Sequence, residues 1–200
     1  MSTYVQLQTQ IATELHRSDL TTDIQTAILA AIRHYQRKLM LFSQGTHSPV
    51  IVAGTAEYSL PSDFLAFERV EITIDGDTTL LDEISSNEMA ALDDDSGEPT
   101  KFSYRNYVMT LYPAPDSAYT ITVKYWQQPA APSADADSTV WTNDALDLIR
   151  HRAKADLAAN TIRDNAAAQT YKVYEDETYG GMVIQRDRVL SNGRLIPTQF

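Results

Sequence analysis

Four histidines, a run of three aspartates, eleven tyrosines and two tryptophans are the side chains of this 200-residue sequence that could carry chemistry. His16, His34, His47 and His151 are scattered, with no HExxH or His-x-His spacing that would set two imidazoles on one metal. Each reads as a surface or boundary histidine. Asp93-Asp94-Asp95, with Glu98 beyond, approaches the oxygen chemistry of a calcium loop but lacks its ligand spacing, and reads as a solvated turn. Neither a phosphate-cradling GxxxxGK nor GxGxxG nor GxSxG is present. The absence of cysteine removes disulfides, thiol catalysis and cysteine zinc sites. The aromatics could build a sugar-stacking face. Yet Tyr119, Tyr125, Tyr171 and Tyr174 fall at periodic positions that point into a core. Trp126 lies on the other face of its strand and is the best candidate for an exposed aromatic, while Trp141 reads as a staple against a helix start. Arg33, Arg37 and Lys38 sit where cations complement a helix dipole, and they could also meet an acidic partner. No catalytic site, metal or cofactor is expected.

The elements that position these residues follow from period. Tyr4, Leu7, Ile11 and Leu15 make a short amphipathic helix. Ser18 or Asp19 should cap a second, with Leu20, Ile24, Ile28, Ala31, Tyr35 and Leu39 as its stripe and Gly45 as its end. From Thr46 the period becomes two. Strands are expected at 50–52, 57–60, 69–74, 79–81, 101–104, 107–112 and 119–126, with Asp75-Gly76 as a hairpin turn and a helical turn over 86–92. A linker from Gln127 to Thr139 leads to a third helix, capped by Thr142 or Asn143 and carrying Leu146, Ile149, Ala153 and Leu157. Asp164 should cap a fourth, carrying Ala167, Tyr171, Tyr174 and Thr178 or Tyr179. Gly180-Gly181 should stop or bend it, since paired glycines cost about 2 kcal/mol of helix propensity.

The expected fold class is α+β. A helical bundle is built from N- and C-terminal segments (1–45 and 138–181), with an inserted antiparallel β domain (46–137, a sandwich or small barrel) and an extended C-terminal tail (182–200).

Charge follows the same division. The net of -11 resides almost wholly in residues 46–137, where sixteen acidic groups face Arg69, Lys101, Arg105 and Lys124. Such a balance argues against tight nucleic-acid binding, which rests on cation–phosphate pairing. No apolar run approaches the ~20 residues that span a bilayer. Met1 to Gln6 has neither the basic nor the apolar region of a signal peptide, so a cytoplasmic origin is expected.

Two stretches carry a resemblance. Tyr58-Ser59-Leu60-Pro61-Ser62-Asp63-Phe64-Leu65 followed by Arg69-Val70 resembles the Tyr-x-Leu-Pro-x-Asp segment of head-to-tail adaptor proteins of tailed bacteriophages. Glu98-Pro99, the run Val108 to Pro115, and Tyr125 before the linker fit that pattern. Glu175-Asp176-Glu177-Thr178-Tyr179-Gly180-Gly181-Met182 is similar to the acidic-helix-then-Tyr-Gly-Gly segment of short-tailed-phage adaptors, the gatekeepers. The resemblance implies a non-enzymatic virion protein made in the host cytoplasm. It implies a homo-oligomeric ring, usually of twelve subunits, under the portal protein, with a tail nozzle or tail-tube protein on its other side and DNA passing through without specific binding. The family motif here is Tyr58, Leu60, Pro61 and Asp63. The segment from Gly180 onward, with Gly181, is then expected to dock on the portal, with Leu190, Leu195, Ile196 and Phe200 as apolar anchors and Arg186, Arg188 and Arg194 pairing with acidic groups. Two other classes stay open at this point. One is a β-sandwich receptor- or carbohydrate-binding module of a phage tail using Trp126 and its tyrosines; the other is a hydrolase built on carboxylates distant in sequence.

Overall fold

Apolar residues at helical spacing near both ends of the chain meet in one core. In the computed structural model, which describes residues 1–191, helix α1 (Tyr4–Glu14) buries Tyr4, Leu7 and Ile11, and α2 (Thr21–Tyr35) buries Ile24, Ala27, Ile28, Ala31, Ile32 and Tyr35. Helix α3 (Leu146–Asp156) contributes Leu148, Ile149 and Ala153, then runs into a π-helical turn at Leu157–Ile162. Helix α4 (Asn165–Leu190) follows. Trp141, in a helical turn at Val140–Asn143, is fully buried among these stripes, and its indole N–H donates to the Pro129 carbonyl at 3.2 Å. It lies within that turn, not just before a helix cap as predicted, and it is the largest side chain of this core.

The chain divides into two units, Met1–Phe42 with everything from Pro129 onward, and Ser43–Gln128. The segment from Pro129 to Asp137, grouped by its charge with the β insert, belongs with the helices. The reason lies in its backbone: Pro129 O also accepts from Gln36 (3.0 Å), Asp137 O from Tyr4 N (2.8 Å) and Asp135 O from Val5 N (3.0 Å). With that boundary the β unit carries four basic and fourteen acidic residues, and the helical unit is close to neutral.

The second unit begins with β1 (Gln44–His47), β2 (Glu57–Ser59), β3 (Phe64–Ile74), β4 (Asp77–Leu80) and β5 (Asp82–Glu83). A single helical turn at Ser86–Met89 follows, then β6 (Ser96–Gly97), β7 (Lys101–Arg105), β8 (Val108–Tyr112), β9 (Ala114–Pro115) and β10 (Thr120–Gln127). Two four-stranded sheets, ordered β1-β10-β3-β4 and β2-β8-β7-β5, are antiparallel except for the parallel β5–β7 pair, and β6–β9 forms a small parallel pair. Alternation along β10 sends Ile121, Val123 and Tyr125 into a core with Val70, Ile72, Phe102, Met109 and Leu111. Asp75 and Gly76 close the β3–β4 hairpin with φ of 52° and 91°, the positive values that a two-residue turn of this kind demands.

Further expectations are overturned, beginning with two caps: α2 and α3 start after Leu20 and Ala145 with no side-chain cap, not at Ser18 or Asp19 and not at Thr142 or Asn143. Val50-Ile51-Val52 makes one isolated bridge, Val50 with Thr120, and no strand. Gly45 does not end α2, which stops at Tyr35. It lies in β1 opposite Tyr125, where an added Cβ would come within 3.0 Å of that ring. Trp126 is 5% exposed and offers no stacking face. Gly180 and Gly181 do not stop the fourth helix: α4 continues to Leu190, so residues 182–190 are helical rather than extended. Two glycines are tolerated there because the flanking turns are pinned, Met182 against the core and Arg186 to the Leu39 carbonyl at 2.9 Å.

Candidate assembly surface

Helix α4 starts where the sequence places it. The Asp164 side chain accepts from Ala167 N at 3.0 Å, satisfying one of the unpaired amides of the first turn. Arg163 just before it sits in the left-handed region at φ 63°, which turns the chain from the π-helical segment into α4.

The anchor that holds α4 is a carboxylate. Glu175 is 0% exposed and accepts from the Tyr35 hydroxyl of α2 and from Arg152 of α3 (3.1 Å), with Lys172 of α4 paired at 3.1 Å. Burial by itself pushes its carboxyl up, but the Tyr35 hydroxyl and the two cations outweigh that and hold it below the ordinary glutamate range. Burial, and then Glu175, push the Tyr35 hydroxyl up. A second, half-buried pair ties α1 to α3: the buried Lys154 Nζ meets Glu14 at 2.5 Å, and Arg150 reaches the same carboxylate at 2.9 Å. Neither Glu175 nor Lys154 stands out in a reading by hydrophobic period. The available signal is position, because Ala168, Glu175, Tyr179 and Met182 recur at helical spacing and form the inward stripe of α4. The expected stripe through Tyr171 and Tyr174 is rotated away from this, and Tyr174 is 46% exposed.

On either side of this anchor α4 presents apolar groups to solvent: Val173 before it, and Ile184, Val189 and Leu190 past it, are exposed. Among the residues assigned to docking, a Cβ added at Gly180 or Gly181 would meet open space, and Arg188 and Leu190 are exposed. Arg186 is engaged within the chain, by Leu39 O and by Asp187 at 2.7 Å. Arg194, Leu195, Ile196 and Phe200 lie outside the described residues.

The motif residues of the β unit are brought together and their contacts are structural. The Tyr58 hydroxyl donates to Thr55 O (2.7 Å) and accepts from Val52 N (3.1 Å), fixing the irregular segment before β2. Leu60 is in the core, and Pro61 O accepts from Phe64 N to start β3. Asp63 accepts from the Tyr125 hydroxyl at 3.2 Å, and its carbonyl takes Gln128 N at 2.7 Å, so it clamps the strand that leaves the unit. Burial, with Asp63 adding to it, pushes the Tyr125 hydroxyl up. Asp95 of the acidic run accepts from the Tyr112 hydroxyl at 2.9 Å. Among the described residues no group of three or more His, Asp or Glu side chains is placed to hold a metal, and no helix is long and apolar enough to cross a membrane.

The sequence profile of the SU10 adaptor protein family matches residues 2–196, nearly the whole chain and both units. The chain belongs to the SU10 adaptor protein family. It is thus a bacteriophage adaptor, a structural protein of the virion. No curated protein matches it. For the adaptor, the buried ionic groups described above are scaffolding, and its unpaired exposed groups are the ones available to partners.

Proposed function

We propose that the adaptor forms a homo-oligomeric ring beneath the portal protein of a short-tailed phage, receives a tail nozzle or tail-tube protein on its other side, and lets DNA pass. The role is non-enzymatic, and the ring count of about twelve is carried by family resemblance, since closed symmetry by itself fixes no number. The helices of neighbouring subunits pack side by side, and the C-terminal segment docks on the portal.

The observation that carries this reading is the end of α4. It runs beyond the Glu175 and Arg186 anchors with Val189 and Leu190 exposed, an apolar terminus with no intramolecular use among the described residues. A partner that covers it gains about 25 cal/mol per Å² of apolar surface removed from water. The acidic β unit repels polyanions and suits a channel or neck through which DNA must slide without being held. With Trp126 buried, the receptor- or carbohydrate-binding alternative loses the tryptophan it counted on beside the tyrosines.

Removing residues 187–200 leaves both α4 anchors in place and tests the docking role. The shortened adaptor is expected to keep its helical circular dichroism and its melting temperature while losing co-sedimentation with portal. Undiminished co-sedimentation would rule out docking through this segment.

A further inference from the structure

Two helix faces of the helical unit point to solvent, and they complement one another. On α4, Val173, Glu177, Gly180 and Ile184 fall on one line opposite the buried Ala168–Glu175–Met182 stripe, with Gly181 beside them. Val173 is 53% and Ile184 62% exposed. On α2, Thr22, Thr26, Ala30 and Arg33 form the exposed line, and Arg37 follows just past the helix end. The Thr26 hydroxyl donates back to Thr22 O at 2.9 Å, which leaves its methyl group outward.

We infer that the outer stripe of α4 in one adaptor packs on the outer face of α2 in the next copy. Charge selects this pairing. Among the described residues Arg33 and Arg37 have no carboxylate partner and Glu177 has no cationic one. Packing α4 against α4 of a second copy would crowd Glu177 and Asp176 of both chains, and α2 against α2 would crowd the arginines. Only the mixed contact neutralises both faces. The paired glycines fit the same arrangement. They weaken α4 and make no close contact among the described residues, and a neighbouring helix can approach most closely where side chains are absent. Because the two faces differ, the contact is head-to-tail, the type that closes into rings. The inference rests on the ring reading above and deepens it by naming the subunit interface.

The chain contains no cysteine, so engineered thiols report on this contact without background. Juxtaposing Arg33 and Glu177 brings Ala30 beside Gly181 if the helices run antiparallel, and beside Val173 if they run parallel. The full-length adaptor is therefore made as Ala30→Cys/Gly181→Cys and as Ala30→Cys/Val173→Cys, assembled alone and on portal, and mildly oxidised. One of the two double variants is expected to give a ladder of covalent oligomers, and the three single variants no more than trace dimer. Efficient dimers from Gly181→Cys or Val173→Cys alone would overturn the inference in favour of a two-fold α4–α4 contact. Assembled rings that yield no ladder from either double variant would overturn it while leaving the ring intact. A protein that stays monomeric by native mass, free and with portal, would overturn the ring reading itself. As a second readout, Glu177→Arg is expected to weaken assembly on the order of 10-fold, and adding Arg33→Glu to restore it. Independent losses without restoration count against the pairing.

Discussion

Glu175 is the residue on which the helical unit turns. A carboxylate with no solvent exposure is stable only because Tyr35, Arg152 and Lys172 converge on it from three helices. Glu175→Gln keeps the shape but strands two cations. Breaking a buried pair commonly costs about 3–5 kcal/mol, and here Arg152 and Lys172 retain part of their hydration, so about 2–3 kcal/mol is expected from denaturant unfolding. A change within about 0.5 kcal/mol would show that α4 is held by its apolar contacts alone. Titration offers a second check on the same scale. Burial, then the neighbouring Arg152 and Lys38, depress His34; burial, then Lys154 and Arg150, depress His151. A depressed histidine resists protonation in the folded state, so stability falls as pH drops through the ordinary range near about 6.5. Glu14 and Glu175 are held low, so their contribution, present above the ordinary glutamate value, disappears as pH falls further through their lowered ones. The melting temperature is therefore expected to decline from about pH 7.5 to 5.5 and again below about pH 4.5. His34→Gln with His151→Gln should flatten the first decline only. None of this is readable from the sequence, because hydrophobic period locates a stripe but does not say that a glutamate on it will be buried with its partners.

At the scale of the element, what can be read is whatever local chemistry decides. The periodic stripe of α1, that of α2 as far as Tyr35 but not Leu39, the alternation of β10, the Asp75-Gly76 turn and the Asp164 cap appear where spacing and side-chain type place them. Sequence and structure part where tertiary contacts override propensity. Val50 to Val52 has the composition of a strand but pairs only once, with Val50 84% exposed. β3 begins five residues earlier than its alternation, at Phe64, because the Pro61 turn and Gln127 of β10 supply register there. Gly180-Gly181 lies within a helix because the turns on either side are anchored. Two substitutions follow. Gly180→Ala with Gly181→Ala meets open space, so the helical unit should gain about 1 kcal/mol per site. If the α4–α2 contact holds, the same variant should assemble less well than the parent, an opposition of stability and assembly that melting and native mass record together. Gly45→Ala instead drives a methyl toward the Tyr125 ring and Gln127. The β unit should lose about 1–3 kcal/mol by chemical denaturation. An unchanged midpoint would mean that the ring simply shifts.

For the whole molecule, the sequence separates a nearly neutral helical unit from an acidic β unit, and the structure moves that boundary to Phe42/Ser43 and Gln128/Pro129. The family motif in the β unit proves to be made of folding contacts, Tyr58 and Asp63 holding loops and Leu60 filling core. The surface proposed for docking is only partly legible, since Arg186 is turned inward and Arg194 to Phe200 lie outside the described residues. Partner contacts leave little trace in one chain except as exposed apolar groups and unpaired charges, and these are what α4 and α2 display. Whether this adaptor is a ring-forming link on the portal is tested most directly by native mass spectrometry of the full-length protein, free and mixed with its portal. A closed complex of about twelve adaptor copies on the portal is expected. An adaptor that remains monomeric and never migrates with portal would contradict the proposed role.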